Sequence, residues 1–431
     1  MNKKVSLGTA VTLMAIAAAL AVAITMVYSI RTFNDKLYNI KEREATYEKL
    51  AQIDKIVRSQ YYGDINEKYL MDSIAKGYVQ GIQDKYALYL TAEQYQLQLE
   101  ETEGKTVGIG IDTICDTSGY MLVTQVYGES SAEMAGIQMN DLILQVDDVE
   151  VTAQTYEEAV AALEGEVGTK VTLVLRRDNE DQEPLELTRR KVEIPTVYYN
   201  VVDNIAYIQI TEFADATPSQ FNRAIDDVIQ QGALGIVFDV RSNPGGTIDS
   251  VSQVLDRLLP EGDIVSATYR DGTTEVLAVS DAQQLEMPMA VVVNEETASA
   301  AELFAQALWD YEKAKTVGVT TYGKGLMQTI YRLDDGSALD ITVAKYNPPK
   351  SPNFDGVGVI PDYEVELTQE QKLMQDQLDQ DTDPQLRKAQ EVVNALIVQQ
   401  QAQEEASRSE AQSQSSESSD SQEQEQSSAA G

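Results

Sequence analysis

The stretch VVVNEETASAAELFAQALWDYEKAKTVGVTTYGKGLMQ, Val291 to Gln328, reads as an apolar strand, a short polar turn carrying Ser299, a helix, and a glycine-flanked Lys324. The full chain has 431 residues and no histidine. Ser-His-Asp hydrolysis, Cys-His pairs and HExxH zinc sites are therefore excluded before any motif is weighed. A nucleophile here needs another base, and a lysine can serve. Read by itself, Ser299 fits a helix cap as well as a nucleophile placed at the positive end of a helix dipole. Around Lys324, Gly318 to Lys324 matches the opening of a phosphate-binding loop. That reading fails because Gly325 stands where a Ser or Thr should hold magnesium, and because the segment after it reads as a strand.

Upstream the same strand-turn-helix plan appears once more. Leu234 to Phe238 is a continuous apolar run of the kind buried on both faces. Val251, Val254, Leu255, Leu258 and Leu259 fall on one helical face. Between them Asn243-Pro244-Gly245-Gly246 forms a turn with backbone N–H groups at its tip, suited to a phosphate or an oxyanion.

Composition sets outer bounds. The formal charge of −37 argues against nucleic acid and anionic lipid as partners. The single cysteine, Cys115, makes no internal disulfide. Lys3 and Lys4 precede an uncharged apolar run, Val5 to Ile30, longer than the core of a cleaved signal and long enough to span a bilayer. The flanking lysines predict a cytoplasmic N-terminus (1–34 with the anchor) and an extracytoplasmic remainder; if the segment is cleaved, the remainder is secreted. Residues 35–103 read as helical, with Leu50, Ile53, Ile56 and Val57 on one face and a second helix over Tyr69 to Ile82. From about Gln399 to residue 431 the chain turns to Gln, Ser, Glu and Ala, which predicts a disordered tail.

Residues 104–178 resemble a PDZ domain. The resemblance rests on the turn Gly108-Ile109-Gly110, the run AGIQMNDLILQVDDVEV and the helix at Tyr156 to Leu163 before a closing strand. Glycines let successive N–H groups converge on a carboxylate, and an open strand edge can accept an added strand. Gly108, Ile109, Gly110 and Ile111 are accordingly the candidate peptide-binding residues. A charged linker is expected around Arg177 to Pro184.

Over most of its length the chain is similar to the carboxy-terminal processing peptidases, or tail-specific proteases. The similarity is carried by DVRSNPGG, VVVNEETASAAE, TYGKGLMQ and ALDITVAKYNPPKSPNFDGVGVIPDYEVEL, in that order behind the PDZ-like region. It implies a multidomain α/β and α+β chain whose 179–398 segment is a crotonase-like serine protease core, with no metal or organic cofactor. It also implies that Ser299 is the nucleophile, Lys324 its base and Gln328 the residue orienting the lysine. Thr297 departs from the serine common there. A lysine base must lose proton affinity by about 4 kcal/mol to work near neutral pH, which burial can supply. Gly245 or Gly246, with Ala300, would donate to the oxyanion. Expected partners are proteins with unstructured apolar C-termini, the membrane and a second copy of the chain. The competing class is a PDZ adaptor with a decayed protease core.

Overall fold

A computed structural model describes residues 44–375, 378 and 382–428, with 14, 25 and 26. The predicted membrane anchor, Val5 to Ile30, lies almost wholly outside these residues. No helix among the described residues is long and apolar enough to cross a membrane. The chain divides into two compact units, residues 1–74 and 75–431. In the first, helix α1 (44–60) carries the predicted apolar stripe, with Ile53 and Ile56 exposed. Helix α2 (Glu67–Gln80) follows and runs across the boundary.

The second unit opens with strand β1 (Leu88–Leu90) and helix α3 (Ala92–Glu103). Strand β2 (Lys105–Gly108) then leads into a sheet built from β3 (Ile111–Cys115), β4 (Met121–Val126), β5 (Leu142–Val146), β6 (Val149–Glu150), β7 (Lys170–Arg177), β8 (Glu180–Asp181) and β9 (Leu185–Thr188). Its order is β3-β4-β5-β7-β8, with β6 on β5 and β9 on β7. Helices α4 (Ser131–Met134) and α5 (Tyr156–Leu163) complete this body. Alternate residues of β4 and β7 point inward, and a bulge between Ile143 and Gln145 turns both Ile143 and Val146 of β5 inward, so Met121, Val123, Ile143, Val146, Val171 and Leu173 are fully buried. The expected linker at Arg177 to Pro184 is instead part of this sheet. Asp178, Glu180, Asp181 and Glu183 face solvent at a hairpin turn and Arg177 pairs with buried Asp141, while Leu187 on β9 returns to the core at 3% exposure. Strand β10 (Arg190–Glu193) pairs with β2.

The remaining body is built on a six-stranded sheet. It contains β11 (Val197–Val202), β12 (Ile205–Ile210), β13 (Gly235–Asp239), β16 (Met289–Val293), β17 (Ala314–Gly318) and β20 (Tyr363–Glu364), parallel from β12 onward. The segments β13 and β16 are buried at every position, which explains their unbroken apolar reading. Helices α6 (Thr217–Gln230), α7 (Ile248–Asp256) and α8 (Ala300–Asp310) cover one face through Phe221, Val251, Leu255, Phe304 and Leu308. The first part of α10 (Pro384–Ser428) covers the other through Leu386, Ala389 and Val393; the short α9 (Gln369–Leu373) precedes it. A second sheet joins β14 (Gly262–Tyr269), β15 (Thr274–Ser280), β18 (Leu326–Arg332) and β19 (Ala338–Asn347) to β1.

Through the stretch expected to be a disordered tail, from about Gln399, α10 continues to Ser428 among the described residues. Gln, Glu, Ala and Ser without an intervening Gly or Pro allow a helix nucleated by the docked first turns to propagate.

Candidate active site

Two parallel strand-turn-helix units, β13–α7 and β16–α8, place their turns side by side. Asn294 Oδ1 accepts from the Ser242 N–H at 2.8 Å and from that of Thr297 at 3.1 Å. Thr297 Oγ1 donates to the Val240 carbonyl at 2.9 Å, and the Ala298 N–H donates to that of Asn243 at 2.9 Å. Thr297, the departure from the resembled pattern, is thus a turn-to-turn tie. Ser299 ends the turn at φ 56°, ψ −118°, a strained conformation for a residue with a side chain. A serine on a sharp strand-to-helix turn has its hydroxyl presented outward.

Glu302, one turn into α8 and fully buried, organises what surrounds the serine. Its carboxylate accepts from four donors: the Ser299 N–H at 2.9 Å, the Thr321 hydroxyl, and the N–H groups of Gly323 at 2.7 Å and Lys324 at 2.8 Å. One side chain therefore fixes both the serine turn and the lysine loop. The signal was legible in Ser299-Ala-Ala-Glu302, the S-x-x-E spacing of a capping box, but its reach to the lysine loop depends on tertiary packing.

Lys324 precedes β18, its carbonyl accepting from Tyr346 Oη at 2.5 Å. Its ammonium stands 4.9 Å from the centroid of the Tyr86 ring. Burial pushes the Lys324 amine below its ordinary value, while the carboxylates of Asp340 and Glu302 act in the opposite sense. Ser299, Lys324 and Gln328 all line one cleft of about 510 Å3, with Gly246 and Asp340 also in its wall. A bulge between Met327 and Gln328 shifts the β18–β19 register, and bulges re-aim side chains in this way. The Gln328 amide nitrogen donates to the Leu326 carbonyl at 3.1 Å and to Thr342 Oγ1 at 3.3 Å. No hydrogen bond joins Gln328 to Lys324 among the described residues.

The glycine turn approaches the serine closely. A Cβ on Gly245 (φ +110°) would lie 2.8 Å from Ser299 Cβ, and one on Gly246 (φ +139°) 2.2 Å from the Phe213 carbonyl oxygen. The Gly245 N–H is committed to Asn243 Oδ1 at 2.8 Å. Those of Gly246 and Ala300 donate to no protein acceptor among the described residues. Gly108, Ile109, Gly110 and Ile111 line a different groove, of about 420 Å3, between edge strand β3 and helix α5. No cluster of His, Cys, Asp or Glu able to hold a metal occurs among the described residues.

The profile of peptidase family S41 matches residues 204–365, and that of the PDZ domain matches residues 122–177. The carboxy-terminal processing protease CtpA of Bacillus subtilis is 32% identical over 360 residues, covering 82% of this chain and 77% of its own. A probable CtpA-like serine protease of Staphylococcus epidermidis is 31% identical, covering 81% of this chain and 72% of its own. Among solved structures, the photosystem II D1 C-terminal processing protease is 26% identical and covers 73% of this chain and 86% of its own, with a TM-score of 0.44.

Proposed function

Starting from a chain that belongs to peptidase family S41, among the carboxy-terminal processing proteases, and so is a serine-type peptidase, we propose a mechanism in which Ser299 is the nucleophile and Lys324 the general base. The observation that carries this reading is the shared cleft, lined by a serine on a strained turn and by a lysine whose burial lowers its proton affinity.

Neutral Lys324 Nζ takes the Ser299 Oγ proton as Oγ attacks the scissile carbonyl carbon. The N–H groups of Gly246 and Ala300 receive the developing oxyanion; Gly245, its own N–H engaged, shapes the turn. Lys324 then returns the proton to the leaving amine as the C–N bond breaks. It next accepts one from the water that attacks the acyl-enzyme, and Ser299 recovers its proton when that ester collapses. Gln328, in the wall of the same cleft, orients the lysine once its side chain turns Oε1 toward the ammonium, a hydrogen bond not made among the described residues. The tight β3–α5 groove around Gly108 to Ile111 takes the apolar C-terminus of an unstructured substrate protein. Val5 to Ile30 anchors the chain, with the catalytic body on the extracytoplasmic side.

The adaptor alternative has no need of a half-buried lysine in the same cleft as a strained serine. Incubating the wild type and Ser299→Ala with an unstructured protein, and sizing the fragments by mass spectrometry, tests the assignment. Cleavage confined to the wild type is expected; equal fragmentation by both removes Ser299 from the chemistry.

A further inference from the structure

Asp340 enters none of the steps above, yet it lies in the wall of the Ser299 cleft. It sits on β19, opposite Ile330 of β18 and Leu88 of β1. One of its carboxylate oxygens, Oδ1, is buried and has no hydrogen-bond partner. A buried acceptor left without a donor is costly, and such groups are few in folded proteins. The cation facing the same cleft is Lys324.

The other charged groups around that amine are committed elsewhere, Glu212 in the same cleft wall being engaged in an interaction too. Glu302 on α8 has its carboxylate filled by the four donors described above. Asp84, before β1, accepts from the Tyr86 N–H at 2.9 Å and is hydrogen-bonded to Thr342. Lys85 directs its ammonium over the rings of Tyr86 and Tyr322, and its charge opposes protonation of Lys324. Tyr346, on β19, gives its hydroxyl to the Lys324 carbonyl. Asp355 accepts from the Gly325 N–H at 3.3 Å. Asp340 alone of these carboxylates combines a cleft position with an orphaned buried oxygen.

We propose that Asp340 is a positioning residue for the catalytic base: its carboxylate, facing Lys324 across the cleft, holds the proton on the amine and thereby sets the pH at which the protease switches on. This deepens the assignment of Lys324 as base and rests on it. No ion pair within 4.0 Å joins the two side chains among the described residues, so the effect is that of a charge acting through the cleft. Opposite charges in a partly desolvated site interact more strongly than in water. Burial raises the proton affinity of Asp340 while Lys324 lowers it, the reciprocal of its effect on the lysine. A carboxylate near a base that must be neutral is therefore a brake, strongest where the lysine is still protonated.

The test is the pH profile of kcat/KM for Asp340→Asn against the wild type, on an unstructured peptide, with Ser299→Ala as the control. Removing the charge moves the acid limb to lower pH by about half to one pH unit, which raises kcat/KM about three- to tenfold at any pH along that limb. Melting curves run alongside should show no loss of stability, because the variant removes an unpaired buried charge. Asp340→Ser, which also removes the charge, must move the limb the same way, and serves if the asparagine variant fails to fold. An unmoved limb, or one displaced upward, overturns the proposal. A lowered melting temperature with an unmoved limb makes Asp340 structural, and a raised KM alone makes it a substrate contact. Cleavage retained by Ser299→Ala instead breaks the underlying nucleophile assignment, a separate failure.

Discussion

Ser299, Glu302 and Lys324 form a chain of dependence that runs through one carboxylate. Because Glu302 receives N–H donors from both the serine turn and the lysine loop, Glu302→Gln puts an amide NH2 where one oxygen accepts. It should lower kcat/KM about 100-fold, the scale of a misplaced reacting group, and cost about 1–3 kcal/mol for each donor left unpaired. Steady-state kinetics and urea unfolding measure the two. As the proposed base, the lysine also sets the expected pH response. Its burial-depressed proton affinity means that activity rises with pH and levels off below the ordinary lysine value of 10.5. A profile still climbing beyond that value would put the base elsewhere. That Ser299 and Lys324 come to one cleft was foreshadowed in the sequence, because each stands in a short motif with punctuating small residues. Asp340 was not, since an acid within the strand-like run ALDITVAKY carries no mark of what it faces.

Among the elements, the paired strand-turn-helix units decide the geometry, and their sequence signals were strong. The apolar runs at β13 and β16 and the helical faces behind them form as their periodicity predicts. What periodicity did not show is how the units are locked to α10. Arg241, just past β13, bonds Asp239 at 2.6 Å and reaches Asp383 at 2.6 Å and Gln385 at 3.0 Å at the start of α10, the three charged residues all at least nine-tenths buried. Arg241→Ala should therefore destabilise the fold by about 3–5 kcal/mol, since two carboxylates stay buried without their partner; chemical denaturation reads this. Asp383 is distant from Arg241 in sequence, so no local pattern could join them. The Gly245 turn gives a second element-scale prediction. Gly245→Ala forces a Cβ to 2.8 Å from that of Ser299 at a positive φ, and kcat should fall about 100-fold with the β13–α7 core intact by melting.

At the scale of the molecule, the cleft and the β3–α5 groove are separate cavities with separate linings. If the groove captures substrate tails, blocking it should affect tailed proteins and spare small substrates that fill only the cleft. In Gly110→Val, the Cβ alone would fall 2.4 Å from that of Ser130. It should raise KM for a protein with an apolar C-terminus at least about tenfold, roughly 1.4 kcal/mol of lost binding, and leave a short ester substrate unaffected. The domain order was readable from the sequence, but its edges were not. The hairpin at Arg177 to Pro184 looks like a linker because most of its charges face water around a tight turn, and the pairing of β8 and then β9 with β7 reveals it as sheet. The C-terminal stretch reads as disordered because its low apolar content predicts no core, while a sequence without Gly or Pro permits extension of a docked helix.

The central claim is that a neutral lysine activates Ser299. The pH dependence of Ser299 phosphonylation by a small fluorophosphonate, in the wild type and in Lys324→Ala, addresses this without any substrate tail or product release. The account predicts a wild-type rate that climbs with pH along a single proton limb, and a Lys324→Ala rate lower by about 100- to 10,000-fold with that limb gone. Equal rates and the same limb in both proteins would contradict it.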